Sequence, residues 1–127
     1  MAASQPVFRS EQLEEALAKQ DVAAVAFALR HDVVVVPRLV TGKKDDEQVR
    51  VFGRENTEKR ILLLFSSADA YALMVPNEKT RLVMLYDSYK LRTFIEAHLD
   101  VLEQVFFDIA GPHTMAANPE DLLKALR

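Results

Sequence analysis

The segment RILLLFSSADAY, residues 60–71, decides how the fold is interpreted. It is apolar at every position from 61 to 65, which is typical of a strand buried on both faces of a sheet. Ser66 follows the strand and Asp69 comes three residues later, a spacing that resembles the capping box at the start of a helix. A buried strand that turns directly into a helix indicates a domain in which helices cover a sheet.

Similar apolar runs lie on both sides of this segment. Residues 33–36 before it, and residues 82–86 and 105–107 after it, predict further strands because they are short and apolar. Residues 49–53 predict a weaker strand with alternating character. We expect these stretches to form a single mixed sheet of about five strands, which is near the usual mean.

Helices are predicted around the sheet, each beginning at a side chain that can accept a hydrogen bond from the backbone. These caps are Ser10, Asp21, Ser66, Asp87 or Ser88, and Asn118. The predicted order is ααβββαβαβα, a mixed α/β arrangement of the α+β class. The middle strands predict a hairpin with charged turns at 41–48 and 54–59, and the later alternation of strands and helices predicts parallel crossovers.

Length and composition predict one domain of cytoplasmic type. The chain has 127 residues, of which 50% are hydrophobic and 28% are charged, an ordinary globular balance. Residues 1–9 are expected to form a flexible tail, and residues 10–127 the domain. No apolar run has the length of a membrane span or of a signal peptide, so no membrane partner is expected.

Charge and cysteine content exclude several classes of function. Acidic residues number 19 against 16 basic ones without a basic stripe, so nucleic-acid binding is disfavoured. The lack of cysteine removes thiol nucleophiles, disulfides and cysteine-based metal sites. His31 ends a helix, His98 lies on an apolar helix face, and the charged run 43–47 is interpreted as a hairpin tip. We therefore expect no metal and no cofactor.

Three segments together resemble the N-terminal domain of the SseB family. They are the strand-to-helix segment 60–74, the strand–helix segment 86–99 and the strand–loop–helix segment 105–126. The resemblance covers roughly residues 10–127 in the order of elements, and it is sharpest at the strand-to-helix junction. It implies a fold set by packing and turns and implies no reaction. The additional C-terminal domain of that family is not expected in this chain.

Asp108 and His113 are the candidate chemical groups, because they follow the predicted strand at 105–107. Ligands of open α/β sheets bind beyond the carboxyl ends of the strands, where a histidine base and an orienting carboxylate would converge. The N–H groups of Ser66 and Ser67 would supply an anion site beside them. In the structural alternative Asp108 closes a turn, His113 lies at the surface and the serines cap the helix. No G-x-S-x-G motif surrounds the serines, so no catalytic residue is assigned.

A second candidate is an interaction surface of large amphipathic side chains. Tyrosine is frequent at protein interfaces because it is large, rigid and amphipathic. The surface would comprise Tyr71, Met74, Tyr86 and Tyr89. Packing of these side chains in the core or at its rim is the structural alternative.

Two functional hypotheses follow. The first is a non-enzymatic interaction module of the SseB family, with a protein partner or self-association. The second is a small-molecule-binding or hydrolytic protein that uses the carboxyl edge of the sheet near Asp108 and His113. The lack of a recognisable catalytic set favours the first.

Overall fold

The computed structural model describes residues 8–41, 48–53 and 56–127, and within them the chain has a mixed α+β fold. The helices are α1 (Glu11–Ala18), α2 (Val22–His31), α3 (Ala68–Met74), α4 (Ser88–Ala97) and α5 (Pro119–Leu126). The strands are β1 (Val34–Arg38), β2 (Phe52–Gly53), β3 (Arg60–Leu64), β4 (Leu82–Tyr86), β5 (Leu102–Phe107) and β6 (Met115–Ala117). The predicted hairpin tip at 43–47 and the first residues of the predicted turn at 54–59 lie outside the described residues. None of the helices in the described part is long and apolar enough to cross a membrane.

Each described helix begins with a side-chain cap. The caps accept hydrogen bonds from N–H groups two or three residues further on, at 2.8 to 3.1 Å. They are Ser10, Asp21, Ser67, Asp87 and Asn118. Such a cap contributes about 1 kcal/mol to stability. The prediction of Ser66 as the cap of α3 is wrong by one residue, because the Ser66 hydroxyl is bonded elsewhere.

The strands form two sheets, which corrects the prediction of a single five-stranded sheet. The order in the larger sheet is β2-β3-β5-β6, and β1 pairs with β4 in the smaller one. The β3–β5 pair is parallel, as predicted for strands connected through helices, and the β2–β3 pair is antiparallel, as predicted for the hairpin. The sequence pattern missed β6, which has three residues and pairs antiparallel to β5.

Reciprocal hydrogen bonds between Val35 and Phe65 connect the two sheets. The N–H of each residue donates to the carbonyl of the other at 2.9 Å. The next residue of β1 that faces this edge is Pro37, which has no N–H to extend the pairing. Its carbonyl instead accepts from the N–H of Arg50, also at 2.9 Å. The contact therefore remains a single bridge, and the strands divide into two sheets of one layer.

The layer has a hydrophobic core on each face, because alternate side chains of a strand point to opposite sides. We call the side packed against α1, α2, α4 and α5 the four-helix face, and strands contribute to it Val34, Val36, Leu62, Leu64, Met84, Val105 and Phe107. We call the other side the α3 face, and its buried members are Val35, Leu63, Phe65 and Tyr71. The predicted burial of strand 61–65 on both faces is thus confirmed.

Phe8 and Arg9, which the sequence places in a flexible tail, are bonded to the domain. The N–H of Ala68 donates to the carbonyl of Phe8 at 2.8 Å, and the N–H of Ser10 donates to the carbonyl of Ser66 at 2.7 Å. The Phe8 side chain also packs on the α3 face. These contacts place the start of α1 beside the strand-to-helix junction.

Candidate functional site

A cleft of about 330 Å³ lies beyond the carboxyl ends of the parallel strands β3 and β5. It brings together the four residues that the sequence singles out for this edge, which are Ser66, Ser67, Asp108 and His113. The remaining lining residues are Glu14, Asp69, Ala70, Leu73, Gly111 and Pro112. The walls therefore come from α1, from α3 and the two serines before it, and from the loop between β5 and β6. Convergence at this edge follows from the parallel pairing, because both strands end there.

Asp108 links the ends of the two parallel strands. The N–H of Ser66 donates to Asp108 Oδ1 at 2.8 Å, and the Ser66 hydroxyl donates to Asp108 Oδ2 at 2.6 Å. The N–H of Asp108 donates in turn to the carbonyl of Leu64 at 3.0 Å. Both carboxylate oxygens thus have a protein partner, and the side chain holds the cleft wall together.

The backbone of Asp108 turns the chain sharply after β5. Its φ angle is 46°, in the left-handed region that aspartate and asparagine tolerate better than other residues with a β-carbon. The carbonyl of Asp108 accepts a hydrogen bond from the N–H of Gly111 at 2.9 Å, which closes the turn. The geometry therefore matches the structural alternative for Asp108, in which this residue closes a turn.

Burial raises the pKa of the Asp108 carboxyl, because desolvation disfavours its charged form. The two hydrogen bonds from Ser66 oppose this rise, since they favour the carboxylate. The charge of Glu14 adds to the rise in pKa, and His113 opposes it. The net effect is a carboxyl that takes up a proton more readily than an exposed aspartate does.

The structure does not assemble Asp108 and His113 into an acid–base pair. The His113 side chain is exposed, and within the described part of the chain Asp108 receives side-chain hydrogen bonds from Ser66 alone. No hydrogen bond joins Asp108 to His113 among the described residues, so this carboxylate does not orient the imidazole. A general base needs an oriented, available lone pair, so the geometry does not support a hydrolytic mechanism here.

Three N–H groups at the start of α3 are already bonded within the chain, including that of Ser66, one of the two predicted for the anion site. The N–H of Ser66 donates to Asp108, the N–H of Ala68 to Phe8, and the N–H of Ala70 to the hydroxyl of Ser67. The described residues that line the cleft include three carboxylates and neither lysine nor arginine. A lining of this charge favours neutral or cationic groups over the anion that the sequence predicts.

A shallower depression adjoins the cleft and shares two of its residues, Glu14 and His113. It is also lined by Arg9, Glu11, Glu15 and Ala18. Because the two hollows share these side chains, we treat them as one continuous surface and call it the acidic groove. Arg9 forms ion pairs there with Glu14 and, at 3.8 Å, with Glu11. Sequence reasoning missed the acidic residues because α1 reaches the cleft only in the folded chain.

The four residues of the predicted interaction surface do not form one exposed patch. Tyr71 is only 1% exposed and packs against the ring of Phe65, so its prediction as a surface residue is wrong. Met74 is half-buried on the α3 face, and Tyr86 is half-buried on the four-helix face. Tyr89 is 67% exposed. The sequence could not distinguish these environments, because its apolar pattern does not show which side of α3 meets the sheet.

A polar contact at the rim of the α3 face was also missed. The guanidinium of Arg50 donates to both carboxylate oxygens of Glu78, at 2.7 and 2.9 Å, and to the hydroxyl of Tyr71 at 2.7 Å. It also lies 4.8 Å from the ring centroid of Phe52. The hydrogen bond with Arg50 lowers the pKa of Glu78. This contact connects the segment before β2 to the helix that borders the cleft.

Comparison with known proteins finds no match: no family model matches the chain, and no curated protein matches it significantly. The resemblance to the SseB family therefore stays a prediction. Among the described residues, no three His, Asp or Glu side chains come together as possible metal ligands. The geometry of the acidic groove is thus the main guide to function.

Proposed function

We propose that this chain is a non-enzymatic interaction module that binds a protein partner at the acidic groove. The observation that carries the proposal is the state of Asp108, the buried ionisable residue of the cleft, whose two carboxylate oxygens both accept hydrogen bonds from Ser66. A group engaged in this way supports the walls of a binding site, and among the described residues no hydrogen bond links it to His113 as an acid–base pair would require. Membership of the SseB family and a cytoplasmic location belong to the same proposal.

The apolar part of the cleft supports contact with a protein. Leu73 is 60% exposed beside Ala70 and Pro112. This exposure is unfavourable, because moving a leucine side chain out of water lowers the free energy. Completing the burial of such a side chain in an interface contributes on the order of 1 kcal/mol. Interface centres combine apolar contact of this kind with a polar rim, and Glu14 and Asp69 supply that rim here.

The volume of the cleft limits the alternatives. About 330 Å³ is near the lower end of the range for small-molecule sites and can also hold one or two side chains of a peptide. A small-molecule-binding protein is therefore the second candidate. Its hydrolytic form lacks support, because no hydrogen bond between Asp108 and His113 orients the imidazole in the described part of the chain.

Selection of a displayed random-peptide library on the immobilised chain tests the proposal. We expect enriched peptides to bind wild-type protein and to lose about fivefold in affinity for Leu73→Ala, on the order of 1 kcal/mol of lost apolar contact. Leu39→Ala is the matched control, because Leu39 is also exposed and does not line the groove. Equal affinity for both variants, or no enrichment over an unrelated protein, would reject the groove as the binding site.

A further inference from the structure

We infer that the acidic groove binds a basic, extended segment of the partner and that an arginine of this segment reaches the inner cleft beside Asp69. This inference rests on the proposed function and adds the chemical class of the ligand. It is drawn from the charge of the groove, from the way Arg9 already occupies its outer part, and from the apolar floor beneath the carboxylates.

The charge of the groove is strongly one-sided. Its carboxylates are Glu11, Glu14, Glu15, Asp69 and Asp108. Among the described residues that line the groove, Arg9 is the one arginine, and no lysine is present. An imbalance of this kind attracts a partner of opposite charge and repels phosphate-rich ligands. The field therefore favours a cationic ligand over nucleic acid or an anionic membrane.

The outer part of the groove already contains a guanidinium. Arg9 donates to Glu14 and approaches Glu11, so two carboxylates of α1 already bind one arginine of the same chain. The inner part differs, because the exposed Asp69 forms no direct ion pair with any other described residue and interacts with Arg9 only at longer range. A second guanidinium, supplied by the partner, would complete the inner part in the same way.

The floor of the cleft suits the stem of a long basic side chain. Arginine and lysine lay their methylene groups along apolar surfaces while the charged end stays near water. Leu73 and Pro112 provide such a surface, and Asp69 and Glu14 lie at the rim where the charged end would emerge. Arginine is preferred to lysine, because its planar guanidinium can bond two carboxylate oxygens at once.

Binding of synthetic peptides to the full chain tests the inference. Three peptides of equal length carry one central leucine and alternate alanine with arginine, glutamine or glutamate. Fluorescence anisotropy at low salt should give the tightest binding for the arginine peptide, with affinity that falls as salt screens the charges. The glutamate peptide should not bind.

Paired variants separate the groove from general attraction to an acidic protein. The double variant Glu14→Gln/Asp69→Asn should weaken binding of the arginine peptide about tenfold, as expected for two partly exposed ion pairs. The control Glu96→Gln/Asp100→Asn removes the same charge at exposed positions outside the groove and should leave the affinity within about twofold. Asp69→Asn alone, which leaves the Arg9–Glu14 pair in place, should still weaken binding.

Each remaining outcome has a separate meaning. Equal weakening by the two double variants would overturn the inference, because binding would then follow net charge alone. Tight binding of the glutamine peptide that is lost in Leu73→Ala would overturn the basic ligand class and leave the proposed function standing. No binding of any peptide, combined with an unsuccessful library selection, would overturn both.

Discussion

The two faces of the layer are closed in different ways. On the four-helix face, α1, α2, α4 and α5 cover the strands with buried aliphatic side chains. On the α3 face one helix of seven residues covers the strands, and Phe52, Ile61, Val83, Leu85 and Phe106 are only half-buried. The first face is covered mainly by packed apolar side chains, and a hydrogen bond from Arg30 to the carbonyl of Ala125 joins two of its helices. The second face has one short helix with polar contacts at both of its ends.

The polar contacts lie at both ends of α3. At its start, the described buried polar side chains are Ser10, Ser66, Ser67 and Asp108. After its end, Arg50 connects Glu78 to the hydroxyl of Tyr71. The helix bordering the acidic groove is therefore held by hydrogen bonds at both ends as well as by the buried ring of Tyr71. A binding site built on such a helix is sensitive to small changes in these bonds.

The largest expected effect comes from adjacent leucines of β3 that face opposite sides. Leu62→Ala on the four-helix face should destabilise the domain by about 4 kcal/mol, because a closely packed site cannot collapse around the cavity. Leu63→Ala on the α3 face should cost roughly 2.5 kcal/mol, since half-buried neighbours can relax into the space. Urea unfolding followed by circular dichroism measures both. Equal losses would show that the two faces are equally rigid.

The next effect separates the structural role of Asp108 from its charge. Asp108→Ala should cost about 3 kcal/mol, because it leaves the N–H and hydroxyl of Ser66 without their partner and places alanine in a left-handed conformation. Asp108→Asn should stay within about 1 kcal/mol of wild type, since an amide can bond both groups of Ser66 and tolerates this φ. Chemical denaturation compares the three proteins.

Asp108→Gly serves as the control for the backbone. Glycine adopts the left-handed conformation without strain, so this variant loses the hydrogen bonds and retains the turn. It should lie between the alanine and asparagine variants in stability. A glycine variant as stable as wild type would mean that the bonds from Ser66 contribute little, and the α3 face would then need another explanation for its order.

Local patterns in the sequence account for the parts of the fold that depend on near neighbours. The strand at 61–65 and the caps at Ser10, Asp21 and Asn118 follow from runs and spacings of a few residues. The division into two sheets does not, because it depends on which strand β4 pairs with and on the missing N–H of Pro37. Strand β6 was not predicted, because three residues are too few to show a periodic apolar pattern.

The candidate site was predictable in position and not in chemistry. Parallel strands end at one edge, so the sequence order places Ser66, Asp108 and His113 at the same cleft. The pairing of Asp108 with Ser66 depends on a left-handed turn, and nothing in the spacing of these residues reveals it. The burial of Tyr71 beside the exposed Leu73 was equally hidden, because one short helix carries apolar side chains on both sides.

The smallest expected effect is a pH dependence confined to the α3 end of the molecule. The four-helix face is built around a hydrophobic cluster, whereas at the other end Asp108 is an ionisable group whose pKa is raised by burial. A carboxyl with a higher pKa in the folded state binds more protons there than in the unfolded chain, so its contribution to stability falls as pH rises. This contribution is complete below the unfolded value near 3.9 and is lost as pH passes through the folded pKa. The unfolding free energy of wild type should therefore decline relative to Asp108→Asn over this range, and an increase would show that the bonds from Ser66 outweigh burial.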